Sequence, residues 1–268
     1  MTKIKTVILK EFWTYFGSRE TLYSIILPAV SMVFVLSFVI VTSSQYITPQ
    51  SRALAYKQIT SNPQLFGITE SLLQVLGDDA ITIATLIVQI PMVIQIFSFI
   101  STYNAIVASF AFERINKTME VLFASPLSES EIILGKIIAS IIAGTLTMLS
   151  GILINVASIQ YVFIQHVGRL WTPTLGYMFL TVAMSISMLL FAIPIGLTLS
   201  VRAKDATQIK LGGLVGIMPL LLFLLASKVP PQKFFSIVQI IGLTSLVVSI
   251  ILVCLSRRLI NRYSFIIN

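Results

Sequence analysis

Charge is scarce in this sequence. Only 10% of its 268 residues are Asp, Glu, Lys or Arg, where a soluble domain carries roughly 25%. The chain is long enough for one or two soluble cores. Such cores have no use for a hydrophobic share of 56%, and water cannot solvate it. Cysteine is nearly missing too. Cys254 stands alone, so no disulfide forms within the chain and nothing follows about redox compartment. His166 is the one histidine, and it cannot assemble a metal site with its neighbours. A phosphate-binding loop is also lacking. Gly135-Lys136 is the one Gly-Lys pair, but residue 130 is serine and residue 137 is isoleucine, so the glycine-rich cradle and its hydroxyl are absent.

The abundant apolar residues are clustered. Charge-free runs occupy 21–51, 80–112, 137–165, 170–201, 211–227 and 234–256. A helix needs about 20 apolar residues to cross a hydrocarbon layer of ~30 Å. Five runs clear that length. The run 211–227 is the shortest and contains Pro219. Barrel strands alternate polar and apolar residues, which these runs do not. In lipid a helix satisfies its own backbone. The expected fold is therefore an all-α integral membrane protein, a single transmembrane domain over 1–268 with six transmembrane helices near 21–43, 82–112, 132–160, 173–201, 211–227 and 234–256. The first run lacks a small-residue cleavage pattern and reads as a retained span.

The formal net charge is +8. A basic chain invites a nucleic-acid reading, but the distribution explains the charge better. With a cytoplasmic N-terminus, every Lys and Arg except Arg52, Lys57, Arg169, Lys228 and Lys233 falls on the cytoplasmic side. That is the positive-inside asymmetry, and it favours an even span count with both termini cytoplasmic in a multi-pass plasma membrane protein. No nucleic acid is expected; membrane lipid is.

Residues 1–20 place Ile4, Val7, Ile8 and Phe12 on one helical face, followed by Trp13, Tyr15 and Phe16. This predicts an N-terminal amphipathic helix lying on the membrane surface. The long external segment 43–82 carries Ile68, Leu72, Val75 and Leu76 at helical spacing. The other external links are short, and no repeat relates the two halves.

No ionisable residue lies deep in any run. Proton- or sodium-coupled transporters bury carboxylates as relays, and membrane enzymes cluster His, Asp or Glu near a membrane face. Their absence argues against an ATP-independent secondary transporter or channel, and against a membrane-embedded enzyme or assembly factor. The polar residues inside the runs are uncharged. Gln95, Ser98 and Thr102 share one face of the second span, with Thr85 and Gln89 on another. They either line a path between two subunits or make helix–helix hydrogen bonds. Gly212-x₃-Gly216 is a close-packing pattern, and Pro91, Pro194 and Pro219 are candidate kinks. Asn116-Lys117-Thr118 matches a glycosylation sequon on the side where none is used.

The most informative segment lies between the second and third spans. Ile115, Met119, Leu122 and Phe123 fall at helical spacing, and Glu113 precedes Lys117 by four residues, the favourable order. A short amphipathic helix over 113–124 is predicted. Ser125-Pro126 ends it, and Ser128 with Glu131 forms a capping-box pattern that starts the next span. A helix held between two spans can act as a lever; an ordinary turn is the alternative.

This segment resembles the signature of ABC-2 type transport permeases, the integral subunits of type V ABC exporters. The shared positions are Glu113, Thr118, Glu120, Leu122, Ser125, Pro126, Ser128, Glu131, Ile132, Gly135 and Lys136. The start, with Lys10-Glu11, Arg19 and Leu27-Pro28, also looks like that family. Two features depart from it. Many members have glycine where this chain has Lys117, and many carry a re-entrant hairpin between spans five and six, where only 228–233 separates the two runs here. The resemblance implies an exporter permease that is not itself an enzyme and has no cofactor of its own. ATP and Mg would sit on separate ABC ATPase subunits, two copies, with a second copy of this chain or a similar permease beside it. The coupling loop 113–131 would dock in the ATPase, and Arg202, Lys204 and Asp205 would make a second cytoplasmic contact. The cargo would be amphipathic or hydrophobic: a drug, lipid, glycolipid or peptide.

Overall fold

The computed structural model describes residues 2–17, 49–61, 79–115 and 117–202, with positions 68, 74, 75 and 77 and scattered positions within 240–251. The described residues contain helices and no strand. Helix α1 is Thr2–Gly17 and α2 is Pro49–Ser61. Helix α3 is Asp79–Val107; it runs into a π-helical turn, Ala108–Phe112, and a last turn, Glu113–Ile115. Helix α4 is Thr118–Phe123, α5 is Glu129–Val167 and α6 is Leu175–Arg202.

Among the described residues, three stretches are long and apolar enough to cross a membrane: Val93–Ala111, Glu129–Gln165 and Leu175–Val201. They correspond to the expected second, third and fourth spans. The expected spans 21–43 and 211–227 lie outside the described residues, as does most of 234–256. Helix α5 has 39 residues, or about 58 Å at 1.5 Å per residue. That exceeds a ~30 Å hydrocarbon layer, so its ends stand clear of it.

Helices α3, α5 and α6 pack on one another, α1 packs on α5, and α2 rests on α3. Helices α3 and α6 run unbroken through Pro91 and Pro194. Close approach of α3 and α5 depends on Gly144, where a Cβ would collide with the Thr102 hydroxyl. Such small residues are what helix contacts in lipid use. Near the loop that joins α3 to α5, a core forms from Ile106, Phe110, Met119, Ile132, Ile193 and Leu197. At the opposite end a second core gathers Ile59, Ile68, Ile83, Phe163, Trp171 and Tyr177. In the segment between the first two spans, the helix α2 was not anticipated. Ile68 is buried as its spacing implied, whereas Val75 is exposed and Leu72 and Leu76 lie outside the described residues.

Helix α1 forms where expected, but its inward face is rotated. Val7, Glu11 and Tyr15 are buried at four-residue spacing, Ile4, Ile8 and Phe12 are half-buried, and Leu9 and Trp13 are exposed. The helix it meets sets this face. Gly135 lets Val7 in, since a Cβ there would stand 2.6 Å from Val7 Cγ1. Ala105, Ala108, Ala139 and Ala143 form the slot that takes Tyr15.

The predicted helix over 113–124 is not continuous. Lys117 has φ 58°, in the left-handed region, and separates the turn Glu113–Ile115 from α4. The break is held by the Lys117 amide donating to the Arg114 carbonyl at 3.0 Å and the Thr118 hydroxyl donating to the Glu113 carbonyl at 3.1 Å. An L-residue pays a steric cost in this conformation that glycine does not.

Candidate functional site

The predicted signature converges on the loop between α3 and α5. Ser128 caps α5 in a capping box: its hydroxyl accepts from the Glu131 amide at 3.3 Å, and the Glu131 carboxylate accepts from the Ser128 amide at 2.9 Å. The reciprocal bonds satisfy two amides that a helix start leaves open. Helix α4 turns Met119 and Leu122 toward the core and leaves Val121 74% exposed. Thr118, Ala124 and Pro126 are exposed beside it. The Ser125 amide closes the end of α4 on the Leu122 carbonyl at 3.2 Å. Glu120 lies on α4, and its side chain is outside the described residues.

Glu113, Gly135 and Lys136 point elsewhere, into a buried ionic cluster under α1. Lys136 has no exposed side-chain surface. Its ammonium donates to the Ser109 carbonyl at 2.7 Å and to Glu11 Oε1 at 2.9 Å, and it pairs with Glu113 Oε2 at 2.7 Å. The first two contacts are hydrogen bonds, and the third is an ion pair without hydrogen-bond geometry. The Phe110 ring lies beneath it, with its centroid 5.4 Å away, within cation–π range. Lys10, at the edge, pairs with Glu113 Oε1 at 2.7 Å and with Glu11 Oε1 at 3.2 Å. The Ser109 hydroxyl donates to Glu11 Oε2 at 2.9 Å. Tyr15 closes the cluster: its hydroxyl donates to the Ala105 carbonyl at 2.8 Å and touches the hydroxyls of Ser109 and Ser140.

Two carboxylates and two ammonium groups make the cluster neutral. Burial works against the Glu11 carboxylate, but Lys136 and Lys10 outweigh it and hold its pKa below the ordinary value of 4.5. Burial likewise pulls Lys10 down, and the Glu113 and Glu11 carboxylates carry it above 10.5. Burial pushes the Tyr15 phenol up, so Tyr15 stays a neutral donor.

Sequence reasoning missed Lys10, Glu11, Tyr15 and Ser109 as members of this cluster. One signal was present: Glu11 sits four residues after Val7 and four before Tyr15, a charge within an apolar stripe. It missed Arg114 too. The Arg114 guanidinium donates to the Ser200 carbonyl at 2.8 Å and also to the Val201 carbonyl. It thereby serves the carbonyls that a helix end leaves open. Arg202 ends α6, while Lys204 and Asp205 lie outside the described residues.

Gln95, Ser98 and Thr102 are buried within the chain. The Ser98 and Thr102 hydroxyls donate to carbonyls one turn back, at 2.7 and 2.8 Å, and Thr102 faces Gly144 of α5. The Gln95 Nε2 group has no hydrogen-bond partner among the described residues. No group of His, Cys, Asp and Glu that could hold a metal ion occurs among the described residues.

No curated protein and no solved structure matches this sequence. The family model described as ABC-2 family transporter protein matches residues 55–265. The match spans most of the chain and takes in α3 to α6 with the loop between α3 and α5. The chain belongs to the ABC-2 transporter family.

Proposed function

We propose that this chain is the permease subunit of an ATP-driven exporter, with its energy supplied by separate ABC ATPase subunits. Family membership and the exposed tip of α4 support the reading. A core anchors α4 from within, a capping box fixes the chain that leaves it, and Val121 stands out toward a partner. Val121 is 74% exposed on a rigid support, so burying it in an ATPase cleft would remove apolar surface from water. Thr118 and Pro126 are exposed beside that knob, Glu120 lies on the same helix, and Arg202, Lys204 and Asp205 add the second contact.

In this reading two permease copies and two ATPases assemble in the plasma membrane, with the loop cytoplasmic. ATP and Mg bind the ATPases, and their closure drives the loops. The apolar helices with scattered hydroxyl and amide groups suit an amphipathic or hydrophobic cargo: a drug, lipid, glycolipid or peptide. The chain itself performs no chemistry.

The test is purification of the chain from its native membrane and identification of any P-loop ATPase that comes with it. The expected result is a complex that hydrolyses ATP. Val121→Asp is expected to release the ATPase while leaving the permease's thermal midpoint unchanged. A permease that neither retains the ATPase nor alters its hydrolysis rate would overturn the proposal.

A further inference from the structure

The ionic cluster does more than fill the space beneath α1. We infer that α1 is a moving part of the loop apparatus, latched to it through Glu11, Lys136, Glu113 and Lys10, and that Arg114 carries the same displacement into the end of α6. The inference rests on the reading of α4 as the partner-docking helix only for what drives the motion.

The geometry of two adjacent residues carries the argument. Glu113 and Arg114 share the short last turn that precedes the loop. Glu113 spends its two oxygens on two different elements, Oε1 on Lys10 of α1 and Oε2 on Lys136 of α5. Arg114 grips the last carbonyls of α6. A displaced loop therefore takes α1 and the end of α6 with it, or breaks these contacts. Breaking them would strand Lys136, which is fully buried and whose ammonium relies on that carboxylate and on Glu11. A buried charge left without partners is strongly unfavourable. The π-helical turn Ala108–Phe112 lies directly upstream. Such wide turns are frequent at functional sites, and this one supplies the Ser109 carbonyl to Lys136. It separates the latched turn from the regular helix α3, which is where the unit can rotate against the bundle. Lys10, Glu11 and Arg114 are thus positioning residues: they act through the loop and touch no cargo.

The test uses the full chain in lipid nanodiscs and needs no ATPase. Amide hydrogen exchange is followed in the unmodified chain, Glu113→Gln and Lys10→Met. Lys10 is half-exposed, and after Lys10→Met both carboxylates still touch the Lys136 ammonium. Glu113→Gln is expected to speed exchange in α1 about fivefold or more, the lower end of ordinary coupling between sites. Lys10→Met is expected to speed exchange over 113–123 as well as in α1. Coupling is reciprocal, and a merely local role for Lys10 would not produce that second effect. If Lys10→Met alters only α1, and Glu113→Gln only the loop, the latch is overturned and α1 is a passive anchor. If Glu113→Gln does not fold, Lys10→Met decides alone. Failure to retain an ATPase would remove the proposed driver of the motion but leave the exchange result standing.

Discussion

The two ends of the described bundle are closed by different physics. At the loop end, α1 is docked by four charges, a tyrosine and a bed of alanines. At the opposite end, Trp171 and Tyr177 meet edge to face, with centroids 5.5 Å apart, over a core of isoleucines. The polar contacts there are neutral. The Gln160 side chain accepts from the Trp171 amide at 2.9 Å and donates to the carbonyl of the same residue. Asn155 donates to the Tyr177 hydroxyl at 3.3 Å, and Tyr56 donates to the Gly77 carbonyl at 3.0 Å. Apolar burial is non-directional and holds a cap wherever it fits. A buried ion pair adds little net stability, yet it is costly to break and tolerates few geometries. The loop end is thus fixed in register, and the far end is fixed in contact. The chain has two tryptophans, and they divide between the ends: Trp13 on α1, 70% exposed, and Trp171, 2% exposed. Trp171→Phe leaves a reporter of the loop end, and Trp13→Phe a reporter of the far end.

The contrast breaks hardest at Lys136. Lys136→Met leaves Glu11 and Glu113 with Lys10 alone, and removal of one partner from a buried pair costs about 3–5 kcal/mol. The transition reported by Trp13 should fall, with that reported by Trp171 much less affected. Lys136→Met combined with Glu11→Leu should recover most of the loss, because a buried pair replaced by apolar residues is often neutral. Equal damage in the single and double variants would mean that packing, not charge, holds α1. Acid should act on the same end. The Glu11 pKa is depressed in the fold, so its contribution is full well above 4.5 and is lost as pH falls through the folded value. Lys10 is raised, so its share is full below 10.5 and is lost as pH rises through its folded value. Between those limits α1 should stay docked. Below them the Trp13 signal should change before that of Trp171, whose described hydrogen bonds involve no charged side chain.

A smaller effect is expected at Gln160. Gln160→Leu removes both hydrogen bonds between the Gln160 amide and the Trp171 backbone, and a hydrogen bond contributes about 0.5–1.5 kcal/mol. The Trp171 transition should drop and the Trp13 transition should hold. A joint drop would show that the two ends unfold as one unit.

What the sequence disclosed was local. The capping box at Ser128 and Glu131 needs residues three apart, and it forms as spaced. The three described spans follow from apolar length alone. The inward face of α1 was not legible, because it depends on Gly135 and Lys136, more than a hundred residues away. Glu113, Gly135 and Lys136 were grouped with the ATPase contacts because they belong to one motif. The structure turns all three toward α1, while Val121, which no motif position marked, stands outside with the motif residues Thr118 and Pro126. The π-helical turn leaves no trace in apolar spacing, since it changes the register of a helix without changing its composition. Gln95, Ser98 and Thr102 could be placed on one face but not against a neighbour; for Thr102 the structure supplies one, Gly144 of α5.

The smallest expected effect concerns the break at Lys117. Spacing alone ran a helix through this position, and the left-handed φ of 58° interrupts it. A left-handed L-residue carries a steric cost of roughly 1–2 kcal/mol, whereas glycine adopts the conformation freely. Glycine also gives the unfolded chain more freedom, which offsets about 0.4–1 kcal/mol of that gain. Lys117→Gly should therefore raise the loop-end stability by about 1 kcal/mol or less, leaving the Trp171 transition in place. Lys117→Ala is the control, because it removes the charge but keeps the Cβ. If alanine stabilises as much as glycine, the lysine charge was the burden and backbone strain was not. If glycine alone stabilises, the family's frequent glycine at this position and this chain's lysine satisfy the same backbone turn, one without strain and the other with it.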